Sequence, residues 1–379
     1  MTTRTITEAR RHTLDRAVRE AHVLVTTGAG GVGKTTTAAA LGVAAALAGR
    51  RTLVLTIDPA RRLAQAMGLE TLDDEPSQVH LGDHEGPGEL WAMMLDMQTT
   101  FDRLIDTNAG SPADAQAIKD NRIYRTLSSS LSGTQEYMAM ERLHELHETG
   151  AWDLLVIDTP PTRSALDFLD APKRMTNFLE GRLLRLLLKP GMAAGRGVGR
   201  VVGAGATAFM RVAGKVTGMD LLDDLAEFFR QFEGMYEGFK ERAEQVLELL
   251  RHPDSRFVVV TSPEPPPLRE ARFFLERLQQ EGLHPAGLVV NRIRPELPRD
   301  PTDAAVARAV EALDDAQSGA LRLLIDIRNL ANRQRRDVAA ALYGVDLRSL
   351  VEVPLLGGDV HDLAGLRTIA TTLTTGKSR

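Results

Sequence analysis

The residues with the most chemical content come early: Gly28, Ala29, Gly30, Gly31, Val32, Gly33, Lys34 and Thr35 form a G-x-x-x-x-G-K-T pattern. Such a loop is built to cradle phosphate. Glycines let successive backbone N–H groups turn inward around a β-phosphate, and the N-terminus of the following helix adds its positive dipole end. Lys34 is placed to bridge the β- and γ-phosphates of a nucleoside triphosphate. The Thr35 hydroxyl is the expected ligand of Mg²⁺, a cation that takes oxygen ligands shared with phosphate and water. Thr36 continues the nucleotide-binding loop into the helix. The plain alternative is an ordinary glycine-rich turn. It leaves unexplained the strand-forming run Val23–Thr27 before the loop and the alanine-rich helix, Thr35–Ala48, after it. That context is what the motif requires.

Two later aspartates end apolar runs. Asp58 closes Leu53-Val54-Leu55-Thr56-Ile57, where a carboxylate can orient an attacking water. Asp158 closes Leu154-Leu155-Val156-Ile157, the apolar-strand-then-aspartate form that holds Mg²⁺ directly or through water. A single aspartate at a strand end is more often a cap or turn residue. Here both follow a phosphate loop in order, which favours the functional reading, with Lys34 and Asp58 as the catalytic pair.

In this order and spacing the segments GGVGKTT, TIDPA and VIDTPPT resemble the P-loop, switch I and switch II of the ArsA and guided-entry-of-tail-anchored-proteins ATPases, part of the wider group that includes MinD and ParA. The resemblance extends to Gly133-Thr134-Gln135-Glu136, to Val290-Asn291-Arg292 and to Val353-Pro354-Leu355-Leu356, so it covers nearly the whole chain. It implies a nucleotide site in which Asn291 reads the adenine edge with Arg292 beside it, while Val353 and Pro354 flank the base. It also implies a homodimer, or a heterodimer with a paralogue, whose conformation follows the nucleotide. Two departures matter. Ala29 stands where this family usually carries a lysine that reaches the partner's phosphates, and a methyl group cannot do so. The chain has no cysteine, which removes the soft thiolates needed by arsenite and by a Cys-x-x-Cys zinc clasp.

The elements that must position these groups read as α/β. Apolar, β-branched runs recur at 23–27, 52–57, 90–95, 154–157, 257–261 and 287–290, and helical stretches such as Pro267–Gln280 follow most of them. That alternation predicts a P-loop fold with a mostly parallel sheet flanked by helices, and active groups at the carboxyl ends of the strands. At 379 residues the expected organisation is one P-loop ATPase domain over 1–379, with a helical insert at 171–250 and a smaller helical segment at 113–149. Ser132-Gly133-Thr134-Gln135 reads as a capping box for a helix running through Leu146.

A net charge of −5 gives no case for a nucleic-acid partner. Residues 171–218 are the local exception, with nine basic residues against Glu180 alone and glycines at 191, 195, 199 and 203. Two readings stand: a helical flap offering apolar surface to a hydrophobic cargo protein or an anionic membrane face, or a lid packed on its own domain. The histidine pairs His80/His84 and His144/His147 lack a third ligand and read as surface. The N-terminus lacks the apolar core of a secretory signal and Val201–Met210 is too short to span a bilayer, so a cytoplasmic protein is expected, peripheral at the membrane if the insert binds one. Intact Asp58 favours an ATPase that switches a dimer. Ala29 favours a slow, nucleotide-gated scaffold or chaperone subunit acting with a paralogous partner. A positioning ATPase fits the long insert poorly, and arsenite transport falls with the missing cysteines.

Overall fold

The computed structural model describes residues 13–57, 62–82, 87–122, 124, 134–159, 236–297 and 315–377. Among them eight strands form one sheet: β1 Val23–Thr27, β2 Arg51–Thr56, β3 Ser77–Val79, β4 Glu89–Met94, β5 Leu154–Asp158, β6 Ser255–Thr261, β7 Pro285–Ile293 and β8 Leu350–Pro354. Their spatial order is β3-β4-β2-β5-β1-β6-β7-β8. All neighbours are parallel except β3, which runs antiparallel to β4 at the edge. The helices are α1 Asp15–Glu20, α2 Lys34–Leu47, α3 Arg62–Ala66, α4 Met97–Asn108, α5 Pro112–Asp120, α6 Thr134–Glu148, α7 Tyr236–Arg251, α8 Pro265–Gln280, α9 Asp315–Ala341 and α10 Leu363–Thr375.

This is the α/β architecture expected from the alternating pattern. Every residue of β1 and β5 is buried, as parallel strands covered on both faces must be, and this is why they read as unbroken apolar runs. The α2 helix is buried nearly all round through Ala38, Ala39, Ala40, Leu41, Ala45 and Ala46. Small side chains let it lie close against the sheet. A Cβ on Gly42 would come within 2.4 Å of the Val54 side chain, so any larger residue there lifts α2 away from β2.

The chain divides into two compact units, the first comprising Met1–Met94, Leu146–Leu166 and Leu249–Arg379, the second Leu95–Glu145 and Asp167–Glu248. The first contains the whole described sheet. The stretch 113–149 contains most of α5 and all of α6. Asn121 turns extended at φ −67°, ψ 134° and ends α5, and α6 covers Thr134–Glu148. Ser132 and Gly133 of the expected capping box lie outside the described residues, as does the basic segment 171–218. Buried Glu141 is bonded by the Tyr137 hydroxyl and by Arg242, whose Nε lies 3.1 Å from Oε2. Arg242 Nη1 also donates to Asn108 Oδ1 at 2.6 Å, joining α7 to α4.

Two strands escape the sequence pattern. β3 is a three-residue edge strand without an apolar run. β8 carries Glu352 and ends in Pro354, both poor strand formers, and it holds Glu352 because the carboxylate lies 3.4 Å from Arg335 on α9. His80 lies just after β3 and is not in a helix, so its spacing to His84 carries no helix-face meaning.

Candidate functional site

The phosphate loop leaves the carboxyl end of β1, which lies mid-sheet between β5 and β6. The chain fills positions to one side of β1 with β2 and β5 and then crosses to β6, so the loop sits at the topological switch point, where open α/β sheets bind ligands. Gly28, Gly31 and Gly33 adopt φ of 150°, 75° and 96°. At Gly28 the need for glycine is absolute, since a Cβ would lie 2.0 Å from the backbone oxygen of Val260 on β6. Gly33 caps α2 in the left-handed conformation, and no side chain caps that helix end, which leaves its N–H groups facing the loop. Ala29 and Val32 are buried. Lys34 is only 6% exposed as a residue, and its ammonium donates to the carbonyls of Gly28 at 3.1 Å and Ala29 at 3.0 Å. It therefore lies folded over the loop that it would serve.

Gly31, Gly33, Lys34, Thr35 and Thr36 form one end of a cleft of about 750 Å³, a size suited to a small-molecule ligand. Its other walls are Gln65 and Ala66 of α3, Thr159, Asn291, Arg292, the run Val353–His361 from the end of β8 toward α10, and Ile369 of α10. All of these belong to the first unit. Asn291, Arg292, Val353 and Pro354 thus meet Thr35 and Lys34 around one cavity.

Asp158 is fully buried at the end of β5, in register with Thr26 of β1 and Thr56 of β2. The Thr56 hydroxyl donates to Asp158 Oδ2 at 2.9 Å, which fixes a carboxylate that burial would otherwise penalise. The next residue, Thr159, donates through its hydroxyl to the Thr26 carbonyl at 2.8 Å. Asp58 lies outside the described residues.

A β-bulge shapes the opposite wall. Val290 pairs with Glu352 and Ile293 with Pro354, so β7 carries one more residue than β8 across this step and Asn291 and Arg292 are re-aimed toward the loop. Asn291 Nδ2 donates to the Val32 carbonyl at 2.8 Å and its Oδ1 accepts from Arg292 N at 2.9 Å. The Arg292 guanidinium donates to the Gly31 carbonyl at 3.1 Å. Asn291 is therefore a brace on the phosphate loop as well as a cleft residue. Its amide keeps one further N–H and one further lone pair for another partner.

Sequence reasoning gave no role to Thr56 or Thr159 within their motifs and did not select Gln65 or the segment 357–361. For the last a signal existed: Gly357-Gly358 after a strand and before Asp362, which caps α10 by accepting from Gly365 N at 2.8 Å. Among the described residues no group of three or more His, Asp or Glu side chains is arranged to hold a metal ion by itself, and no helix is long and apolar enough to cross a membrane.

Comparison with known proteins adds the family. Over 149 residues the chain is 34% identical to a protein of Paramecium tetraurelia named ATPase ASNA1 homolog 1, covering 39% of this chain and 43% of that one. Over 174 residues it is 34% identical to an uncharacterized protein of Streptomyces coelicolor, covering 46% and 41%. A longer, weaker match, 23% over 275 residues, is to a putative arsenical pump-driving ATPase 2 of Aquifex aeolicus, covering 72% and 80%. The chain thus spans less than half the length of the first two relatives. The family model described as anion-transporting ATPase matches residues 21–317. On that match over most of its length, with the phosphate loop and its partners in place, the chain belongs to the anion-transporting ATPase family.

Proposed function

We propose that this chain is a Mg²⁺-dependent ATPase that converts ATP to ADP and phosphate and couples its nucleotide state to the conformation of a dimer and to the handling of a hydrophobic or membrane-associated cargo. The observation that carries the reading is the meeting of the phosphate loop, Asn291, Arg292 and the Val353–His361 wall around one cleft, with a fixed carboxylate at Asp158 in the adjoining strand. In this reading Gly28 through Thr36 hold the phosphates, Lys34 neutralises the β- and γ-oxygens, and Asp58 orients the attacking water. Asn291 meets the adenine edge between its bonds to Val32 and Arg292, and Val353 and Pro354 flank the base.

The donor set suits Mg²⁺, since the Thr35 hydroxyl and the Asp158 carboxylate are both hard oxygen ligands. Thr35 would hold the ion, with Asp158 joining directly or through water. When bound, it would offset charge on the phosphate oxygens during transfer. Asp158 is aimed by the hydrogen bond from the Thr56 hydroxyl, a role that needs no movement of the strand.

The cargo reading rests on the basic, glycine-spaced segment 171–218 and on family membership, and places the protein in the cytoplasm with contact at the membrane surface. In the proposed organisation 1–379 is one ATPase domain carrying helical segments at 113–149 and 171–250. A second reading, a slow nucleotide-gated subunit paired with a paralogue, is favoured by Ala29. Light-scattering sizing without nucleotide, with MgADP and with a non-hydrolysable ATP analogue, run beside a phosphate-release assay, separates them. A switching ATPase changes mass with nucleotide and turns over alone. A paired subunit does neither until its paralogue is added. A monomer that shows no change with nucleotide and no partner requirement refutes both.

A further inference from the structure

We propose that Arg292 supplies, from within the same chain, the second fixed positive charge of the nucleotide site and acts on the phosphate chain rather than on the base. The inference rests on the phosphate-loop reading above and assigns to one residue of that site the role that Ala29 cannot fill.

Three observations converge. Arg292 is the one described residue other than glycine with positive φ, at 59°, a conformation that a long side chain adopts only where its surroundings impose it, most often at functional sites. The imposing element is the β7 bulge, which inserts one residue between Val290 and Ile293 and turns the side chain toward the loop. The guanidinium then fastens to the Gly31 carbonyl through Nη1 at 3.1 Å, within the loop that wraps the phosphates. A guanidinium has five N–H donors in a planar fork that matches phosphate oxygens. One such bond anchors it and leaves the rest of the fork for a ligand.

Charge accounting points the same way. Among the described residues that line the cleft, the acidic and basic side chains besides His361 are Lys34, Arg292 and Asp359. The phosphate loop itself brings one cation, Lys34, because position 29 is alanine. A nucleoside triphosphate with one Mg²⁺ still carries net negative charge, and Arg292 is the remaining lining cation to meet it. Asn291, braced on Val32, occupies the neighbouring position, so adenine recognition does not require the arginine.

The test is calorimetric binding of MgATP, MgADP and AMP to the wild type and to Arg292→Lys, Arg292→Gln and Arg292→Gly, at low and high salt, with melting temperatures to confirm folding. Arg292→Gln is expected to weaken MgATP about tenfold, as the loss of one charge-assisted hydrogen bond at an exposed group would. The loss should be smaller for MgADP and absent for AMP. Arg292→Lys should recover most of the affinity. Arg292→Gly relieves the backbone but should bind MgATP as poorly as the Gln variant, and every gap should narrow in high salt. The proposal is overturned if the Gly variant binds like the wild type, which makes the role conformational. It is equally overturned if the Gln variant shows no loss, or loses AMP as strongly as MgATP, which makes Arg292 inert or a base contact. Lys34→Ala runs alongside: unaltered MgATP binding there sinks the phosphate-loop reading itself, independently of Arg292.

Discussion

Gly28→Ala is the smallest change that should break the site. At φ 150° Gly28 occupies a region open essentially to glycine alone, and holding alanine there costs about 1–3 kcal/mol. The added Cβ would also lie 2.0 Å from the Val260 carbonyl oxygen, well inside contact distance, and that atom belongs to the backbone of β6, not to a side chain that can swing away. Displacing packed backbone adds about 1–3 kcal/mol more, so the total destabilisation is about 4 kcal/mol. At about 2 °C per kcal/mol for a large domain, the melting temperature should fall by about 8 °C. Because β1 and β6 are paired up to Thr27 and Val259, the strain should be relieved by moving the loop, and MgATP binding should be lost even in the folded fraction. Gly31→Ala is the matched control. It also sits at positive φ, 75°, but a Cβ there meets no atom within 4 Å, so only the backbone term applies, about 1 kcal/mol, and binding should weaken without vanishing. Circular-dichroism melts and MgATP calorimetry on both variants give the answer. If Gly28→Ala melts with the wild type and binds MgATP equally well, the close approach of the loop to β6 is not what requires glycine, and the reasoning fails.

Asp158→Asn should leave the fold nearly as stable as before, since the Thr56 hydroxyl can still donate to an amide oxygen, while phosphate release falls about a hundredfold and needs more Mg²⁺ to reach half its maximum; an unchanged rate and an unchanged Mg²⁺ requirement would make Asp158 a structural residue. For Glu141, burial raises the carboxyl above its ordinary 4.5, against the hydrogen bonds from Tyr137 and Arg242 that pull it down. The folded state therefore holds that proton more tightly than the unfolded chain. The stability it contributes is complete below 4.5 and is lost as pH rises through the folded value. Melting curves across that range should show the wild type losing ground to Glu141→Gln as pH increases, and a constant difference would contradict the sign. Ala29→Lys restores the charge that the loop lacks and should raise turnover in a self-associating dimer; an unchanged rate and dimer population would mean that the subunits do not meet through their nucleotide faces.

What could be read from the sequence, and what could not, follows the range of the interactions. The phosphate loop is legible because its chemistry needs contiguous residues, Gly28 through Thr35, and the central strands are legible because burial on both faces makes them unbroken apolar runs. Asp158 could be singled out as a strand-end carboxylate, but the Thr56 hydroxyl that holds it comes from 102 positions away, and no local pattern announces that bond. Asn291 and Arg292 entered through resemblance alone. Their aim depends on a bulge created by pairing between β7 and β8, and β8 was itself hidden by Glu352 and Pro354, a charge and a helix-and-strand breaker in an otherwise apolar run. Burial decided the case of Lys34. Its ammonium turns back onto the Gly28 and Ala29 carbonyls, a contact that the motif does not specify.

The central claim is that the cleft around Lys34 binds and hydrolyses ATP with Mg²⁺. The most direct measurement is phosphate release by the purified chain with ATP, with and without Mg²⁺, compared between the wild type and Lys34→Ala. The account predicts Mg²⁺-dependent release that the substitution lowers by at least about a hundredfold, with the melting temperature little changed because the Lys34 bonds to the Gly28 and Ala29 carbonyls lie within the loop itself. Equal release by the two proteins, or release indifferent to Mg²⁺, would contradict it.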